Sequence, residues 1–319
     1  SGSVNSIDGE LGTNSFTDNR NVDAALTISG DNQGSLDGIL PFTNIQSVQL
    51  GSGNDIITFT SGTIASVRGG DGNDRFELSG GIPVFIDGQL GNNTLADLNS
   101  IFTLTGTNAG NVDSITTFDN VQNLIGGNGD DTVTFLTGAS LTGDITGNGG
   151  ALILEGDEID VGGIISGSST LLIRPLTPSQ NINLGGIGNT TSLDLSSSEL
   201  SNLADGFTSI TIGRGDSSGS LTLGGTIAFK DPVTLQMPSS TGNINTTAGD
   251  ITAAEGIILL ANGNISTGVI TVNSGDLSIT SQAETVSVNN ALTNSGTGQI
   301  TILGSSASSW GIVTNLTNG

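Results

Sequence analysis

LGSGND (residues 50–55), GGDGND (69–74) and GQLGNN (88–93) return at one fixed step, and GGNGDD (126–131) stands twice that step further on. Their sixth positions are Asp55, Asp74, Asn93 and Asp131. The surrounding text repeats as well. GSLDGILPFTNIQSVQLGSGNDIITFTSG (34–62) aligns without a gap on GNVDSITTFDNVQNLIGGNGDDTVTFLTG (110–138), at an offset of 76. Upstream, IDGELGTNSFTD (7–18) matches IDGQLGNNTLAD (86–97) at an offset of 79. A short loop returning at a fixed step of about 20 residues marks a solenoid, in which each step is one rung stacked on the last. Residues 7–62 and 86–138 therefore read as one block of about four rungs, duplicated, with parallel sheets running along the stack.

Composition agrees with an all-β chain. Gly supplies 50 of 319 residues, yet 34% are apolar, too many for a disordered Gly/Ser linker. Short runs of Val, Ile, Leu and Thr between Gly/Asn/Asp clusters read as strands and turns. The formal charge is −24, with 23 Asp and 7 Glu against one Lys and five Arg. Asp suits turns, where its carboxylate bonds nearby N–H groups, and it suits hard cations. The chain lacks the clustered Lys and Arg that nucleic acid or anionic lipid would need. Cys is absent, which removes disulfides and thiolate metal sites. No stretch approaches the roughly 20 apolar residues of a membrane span, so neither nucleic acid nor membrane insertion is expected. The Ser-Gly-Ser start, without a signal peptide, reads as a mature or excised piece of something longer.

After about Asp144 the loops give way to looser fragments such as GDI, GNI and GQI. Strand-like runs still recur at similar intervals, among them Thr170–Arg174, Ser220–Leu223 and Leu277–Thr280. The expected division is 1–143, the calcium-loop half, and 144–319, a continuing β-helix with less regular rungs of about 19–22 residues. Ser196–Gly206 is the one helical candidate: Ser196 and Glu199 have capping-box spacing, and Gly206 can end the helix.

GGDGNDRFE (69–77) and GGNGDDTVT (126–134) match the RTX nonapeptide GGxGxDxUx at every defined position, so residues 7–140 resemble RTX repeats. One nonapeptide per full step, where RTX rolls carry one on each half-turn, places the ladder on one edge. Residues 193–225 and 243–267 resemble the repeats of large filamentous-haemagglutinin-like exoproteins, especially cyanobacterial ones. Together the resemblances imply a right-handed parallel β-helix with β-roll character in its first half, exported to the cell surface.

In such loops glycine lets the backbone turn at positive φ and aims carbonyl oxygens inward, and the Asp closes an oxygen cage for Ca²⁺, which takes six to eight ligands. The resemblance implies ions held between successive loops. The candidate ligand positions are Gly51, Gly53 and Asp55, then Gly70, Asp71, Gly72 and Asp74, then Asn93, and finally Gly127, Gly129 and Asp131. Asn93 keeps an oxygen without the charge. An Asx turn that needs no metal is the competing reading. Phe42, Phe59, Phe118 and Phe135 recur with the repeat as core rings. Arg214-Gly215-Asp216 spells an integrin-type tripeptide that Gly-rich turns produce easily.

The functional expectation is a structural, non-enzymatic segment of an extracellular filament, sheath or adhesin stalk, stiffened by calcium. Open solenoid ends invite edge pairing, so copies are expected to join head to tail, Ile312–Leu316 of one meeting Val4–Ile7 of the next. An adhesive or carbohydrate-binding module is the alternative, with cell-surface polysaccharide as partner. A β-helix polysaccharide lyase or epimerase ranks lower: no His or Tyr is available as a base.

Overall fold

The computed structural model describes residues 5–97, 101–186, 192–305 and 309–310. The chain is nearly all β, 51% strand against 2% helix, and its strands form long parallel sheets. It divides into two compact units, one running to Val133 and including Gly138–Asn148, the other comprising Thr134–Thr137 and the chain from Gly149. Among the described residues no helix is long and apolar enough to cross a membrane.

The first unit carries β1 (Ile7–Asp8), β2 (Ser15–Thr17), β3 (Ala25–Gly30), β4 (Gln33–Leu36), β5 (Leu40–Thr43) and β6 (Ser47–Gln49). The regular steps follow in β7 (Ile56–Ser61), β8 (Thr63–Asp71), β9 (Arg75–Leu78), β10 (Ile82–Leu90) and β11 (Thr94–Asp97). Then come β12 (Ile101–Gly106), β13 (Ala109–Val112), β14 (Thr116–Asp119), β15 (Asn123–Ile125), β16 (Asp131–Phe135, its last two residues counted with the second unit) and β17 (Ile145–Thr146). They lie in two sheets. One has the order β1-β5-β4-β3-β7-β9-β11-β15-β17, the other β2-β6-β8-β10-β14-β13-β12-β16.

From β6 to β11 the chain alternates between the sheets, so one full turn equals one step of the loop motif. That register sets Ile57 beside Phe76 and Phe76 beside Leu95. Alternation of the side chains turns every second residue inward. In one sheet Leu26, Ile57, Phe76, Leu95, Leu124 and Ile145 form a continuous buried file. In the other, Val48, Val67, Ile86 and Phe118 do the same. Each such side chain contributes about 1.5–3 kcal/mol by leaving water. The four recurring phenylalanines are buried as expected. The one stacked ring pair among the described residues is Phe16 with Phe42, centroids 6.3 Å apart.

Two expectations are corrected here. The stretch from Asn93 to Asp131 does not hold two further regular rungs. It holds an antiparallel meander, β12-β13-β14, whose counterpart in the first copy is β3-β4-β5. Consecutive positive-φ residues close the outer hairpins, Asp37 and Gly38 in one copy, Asp113 and Ser114 in the other. Such turns match the twist of paired strands. The second correction concerns placement. The meander of the first copy belongs to the β1–β17 sheet and that of the second copy to the other, while β2-β6 and their counterparts β11-β15 exchange in the opposite sense. The duplicated block thus changes sheets from one copy to the next. The loop 126–131 accordingly leads from the β15 sheet to the β16 sheet, whereas the loops ending at Asp55, Asp74 and Asn93 cross the other way. The four loops do not share one edge.

Among the described residues of the second unit, three parallel sheets each carry an aliphatic file. Leu171, Ile210, Val233, Ile257 and Leu277 line the first. Ile182, Leu221, Ile244, Ile265 and Val286 line the second, and Ile227, Ile251, Ile270 and Leu292 the third. All are buried. Most steps are near the expected rung length, but those from Leu171 to Ile210 and from Ile182 to Leu221 are close to double. The excess accommodates helix α1 (Ser197–Ser201), whose cap is the expected capping box: Glu199 N–H donates to Ser196 Oγ and Ser196 N–H to Glu199 Oε2. Leu200 is its buried residue. Strands expected at Thr170–Arg174 and Ser220–Leu223 occur with those bounds.

Candidate functional site

The structure brings Gly51, Gly53, Asp55, Gly70, Asp71, Gly72 and Asp74 together with Asn93 as successive layers of one loop stack. The stack is held first by backbone. Asp71 N–H donates to Gly51 O, Gly53 N–H to Asp71 O and Gly72 N–H to Leu90 O. A side-chain column stands inside it. Asp55 Oδ1 accepts from Ala24 N–H at 2.7 Å, Asp74 Oδ1 from Asp55 N–H at 2.9 Å, and Asn93 Oδ1 from Asp74 N–H at 2.9 Å. Gln122 Oε1 closes the column on Asn93 N–H at 2.7 Å. Gln46, its counterpart in the first copy, does the same for Asn14.

A second column runs beside the first at the fifth loop position. Asp23 Oδ1 accepts from Asn54 N–H, Asn54 Oδ1 from Asn73 N–H and Asn73 Oδ1 from Asn92 N–H, each at 2.8 Å. Asn123 extends it, donating to Asn92 Oδ1 and accepting from Asp144 N–H. The inner side chains reach back to the preceding turn and the outer ones forward to the next. The cause is strand geometry: adjacent N–H groups point to opposite neighbours, so each needs a partner on a different side. Sequence reading passes over this outer column and the two glutamines. The signal is present, because Asn54, Asn73 and Asn92 recur at the same step and Gln46/Gln122 recur with the repeat.

The first glycine of the motif has a steric role. A Cβ on Gly69 would lie 2.0 Å from Asp74 Oδ2, and one on Gly126 2.0 Å from Asp131 Oδ2. The sixth side chain therefore occupies the space over the first Cα. Asp131 is equally buried, but its Oδ1 accepts from Gly127 N–H in its own loop at 3.2 Å. Gly127, Gly129 and Asp131 are thus placed apart from the other three loops.

Asp55, Asp74 and Asn93 are each no more than 1% exposed. Asn93 Nδ2 donates to Asn120 O, so both ends of its amide are used. The aspartates have no such donor, and Oδ2 of Asp55 and of Asp74 has no hydrogen-bond partner. Burial consequently raises both carboxyls, Asp74 to about 7, and the nearby Asp55 and Asp71 charges add to the rise at Asp74.

These orphaned oxygens suit a hard cation in kind. Gly51 O, Asp71 O and Leu90 O already accept from neighbouring loops, and among the described residues no three acidic, His or Cys side chains converge. The stack as arranged is a hydrogen-bonded spine.

In the second unit an open cleft of about 530 Å³ beside α1 is lined by Glu158, Asp160, Asp194 and Glu199. Burial raises the Glu199 carboxyl, with the capping hydrogen bonds opposing the rise. The Arg214-Gly215-Asp216 tripeptide closes on itself: Arg214 Nε lies 2.7 Å from Asp216 Oδ1, and its guanidinium also donates to Pro175 O and Leu176 O. Compared with models of protein families, with curated proteins and with solved structures, the chain matches none.

Proposed function

We propose that the chain is a structural segment of a bacterial extracellular filament, sheath or adhesin stalk, built as a right-handed parallel β-solenoid and joining head to tail with further copies. The observation that carries this reading is the set of in-register parallel files, Leu26 to Ile145 in the first unit and Leu171 to Leu277 in the second. Parallel crossovers of this kind are right-handed in nearly all proteins. Such a stack resists bending because every turn is bonded to two others, and it grows by adding turns. The acidic surface keeps the sides of such rods apart, leaving the ends to associate. The contact expected between Ile312–Leu316 and Val4–Ile7 falls, apart from Asn5–Ile7, outside the described residues.

A second reading, calcium loading of the loop stack, is favoured by the buried, unpartnered Oδ2 atoms of Asp55 and Asp74. The carbonyl oxygens that the loops share with one another each keep a second lone pair for such an ion.

Negative-stain imaging with concentration-dependent light scattering tests the filament. Rods that lengthen with concentration are expected. Single particles of constant size at every concentration, with and without calcium, would remove the reading.

A further inference from the structure

In the second unit the chain that follows α1 is tied to one neighbouring turn by backbone and to the other by side chains. Ile165 N–H donates to Asn202 O and Ala204 N–H to Ile165 O, so Leu203 continues a parallel ladder from the preceding turn. On the following turn the strand Ile227–Phe229 begins the third sheet and pairs onward with Ile251–Ala253. Between Leu203–Gly206 and Phe229–Asp231 the bonds come from side chains. Lys230 Nζ donates to Leu203 O at 2.9 Å, and Asp231 Oδ1 accepts from Gly206 N–H at 3.0 Å. Strands joined by backbone lie only about 4.7–4.9 Å apart, and side-chain bonds span a wider gap. A cavity of about 150 Å³ results, lined by Leu200, Leu203, Ile210, Phe229, Lys230 and Asp231. The doubled step that makes room for α1 thus also makes this cavity, and insertions in repeat proteins often form the binding face.

Its walls are apolar: Leu200, Leu203, Ile210 and Phe229 are all buried. Two charged groups stand among them, bonded to Leu203 O and Gly206 N–H rather than to each other. Asp231 is 4% exposed, and its Oδ2 has no hydrogen-bond partner. A buried carboxylate oxygen in that condition is costly unless a donor meets it. Lys230 Nζ carries three donors, of which Leu203 O takes one. The cavity therefore offers an acceptor for a cation, donors for an anion and an aliphatic wall between them. A single water needs only about 10–15 Å³ of such space, so there is room for a molecule of several heavy atoms.

We propose that this cavity binds a small zwitterion with an aliphatic body, an α-amino acid of the leucine kind. The ligand's ammonium bonds Asp231 Oδ2, its carboxylate bonds Lys230 Nζ, and its side chain packs on Leu200, Leu203, Ile210 and Phe229. Few polar groups that fix orientation inside an apolar pocket are the usual make-up of a small-molecule site. A water alone would meet Oδ2 but leave the apolar walls and the remaining lysine donors unused. The site lies within one unit of one chain and is independent of the filament reading.

The test titrates the full chain with L-leucine by isothermal calorimetry, beside three probes that each lack one feature. These are 3-methylbutylamine without the carboxylate, 4-methylpentanoate without the amine, and glycine without the aliphatic body. Saturable binding of leucine is expected, at least about tenfold tighter than that of each probe. Asp231→Asn keeps the side chain's shape and the Oδ1 acceptor for Gly206 N–H but removes the second carboxylate oxygen. It should leave melting of the chain unchanged and weaken leucine at least about tenfold. Binding of 4-methylpentanoate, which does not use that oxygen, should be no weaker to the variant than to the parent. Absence of saturable leucine binding, glycine binding as tightly as leucine, or leucine binding indifferent to Asp231→Asn overturns the proposal. So does an equal loss of leucine and 4-methylpentanoate in the variant, which would mark Asp231 as a support for the fold alone.

Discussion

The backbone N–H of Asp55 donates to Oδ1 of Asp74, one turn further along the chain, at 2.9 Å. A loop residue that has the letters of a metal ligand is thus the acceptor that ties one turn to the next. It does so at 1% exposure and with its second oxygen unpartnered. The pH behaviour follows from that arrangement.

Asp74 has a folded pKa of about 7 against an ordinary value of 3.8. A raised carboxyl pKa means that the folded state holds the proton more tightly. Its stabilising effect is full below about pH 4 and declines as pH rises towards 7, by an amount on the order of 4 kcal/mol. Thermal melting of the first unit should therefore drop between pH 4 and 7.5. Asp74→Asn should flatten that slope and raise the melting temperature at pH 7.5. A wild-type minus variant difference that is constant across this range would refute the assignment.

Calcium separates the two readings of the stack. For a hydrogen-bonded spine the melting temperature is expected to be equal in millimolar calcium and in chelator. A rise in calcium that Asp74→Asn abolishes would instead show that the loops take the ion.

Two glycines provide an internal control for loop stacking. Gly72 has φ +125°, and a Cβ there would sit 1.9 Å from Gly53 O, a backbone atom that cannot step aside. Gly72→Ala should cost more than about 3 kcal/mol, combining strain with a clash. Gly38 has φ +68° and nothing within 4 Å. Gly38→Ala should cost only about 1–2 kcal/mol, the intrinsic penalty of the left-handed region. Chemical denaturation of the pair gives the comparison, and equal costs would mean that the loops are not in contact.

At α1, Ser196→Ala removes the acceptor for Glu199 N–H and should destabilise the second unit by about 1 kcal/mol. Denaturation midpoints read it out, and a shift confined to the first unit would contradict the division of the chain.

The repeat is legible because a loop that recurs at a fixed step announces both the turn length and the residues that stack. Arg75–Leu78, Thr170–Arg174 and Ser220–Leu223 are strands with the bounds their apolar alternation indicates. Ser196 and Glu199 mark α1 by spacing alone. The meanders escape such a reading although Asp37-Gly38 is a strong hairpin signal, because a fixed step extrapolates straight across a stretch where the chain doubles back. The role of Asp55 and Asp74 is harder to read. Identical letters serve a cation cage and a hydrogen-bond column, and what separates them is how many oxygens of neighbouring loops converge on one point. Chain spacing does not carry that information. Asn93 looks in the sequence like a worn cation position, yet with Oδ1 on Asp74 N–H and Nδ2 on Asn120 O it is the best-satisfied member of the column.

The exchange of sheets between the two copies bears on how such a chain can lengthen by recombination. A gene segment duplicated in this frame re-enters the stack on the other sheet, so an outward side chain selected on one side of the molecule is inherited on the opposite side. Ile39 and Ile115, equivalent exposed residues at the hairpin tips, already show this, each beside a different sheet. Further rounds of the same duplication would alternate sides. A lineage that needed one continuous adhesive face would have to copy a different length of sequence, whereas one that needed a rod alike on both sides would be served by this one.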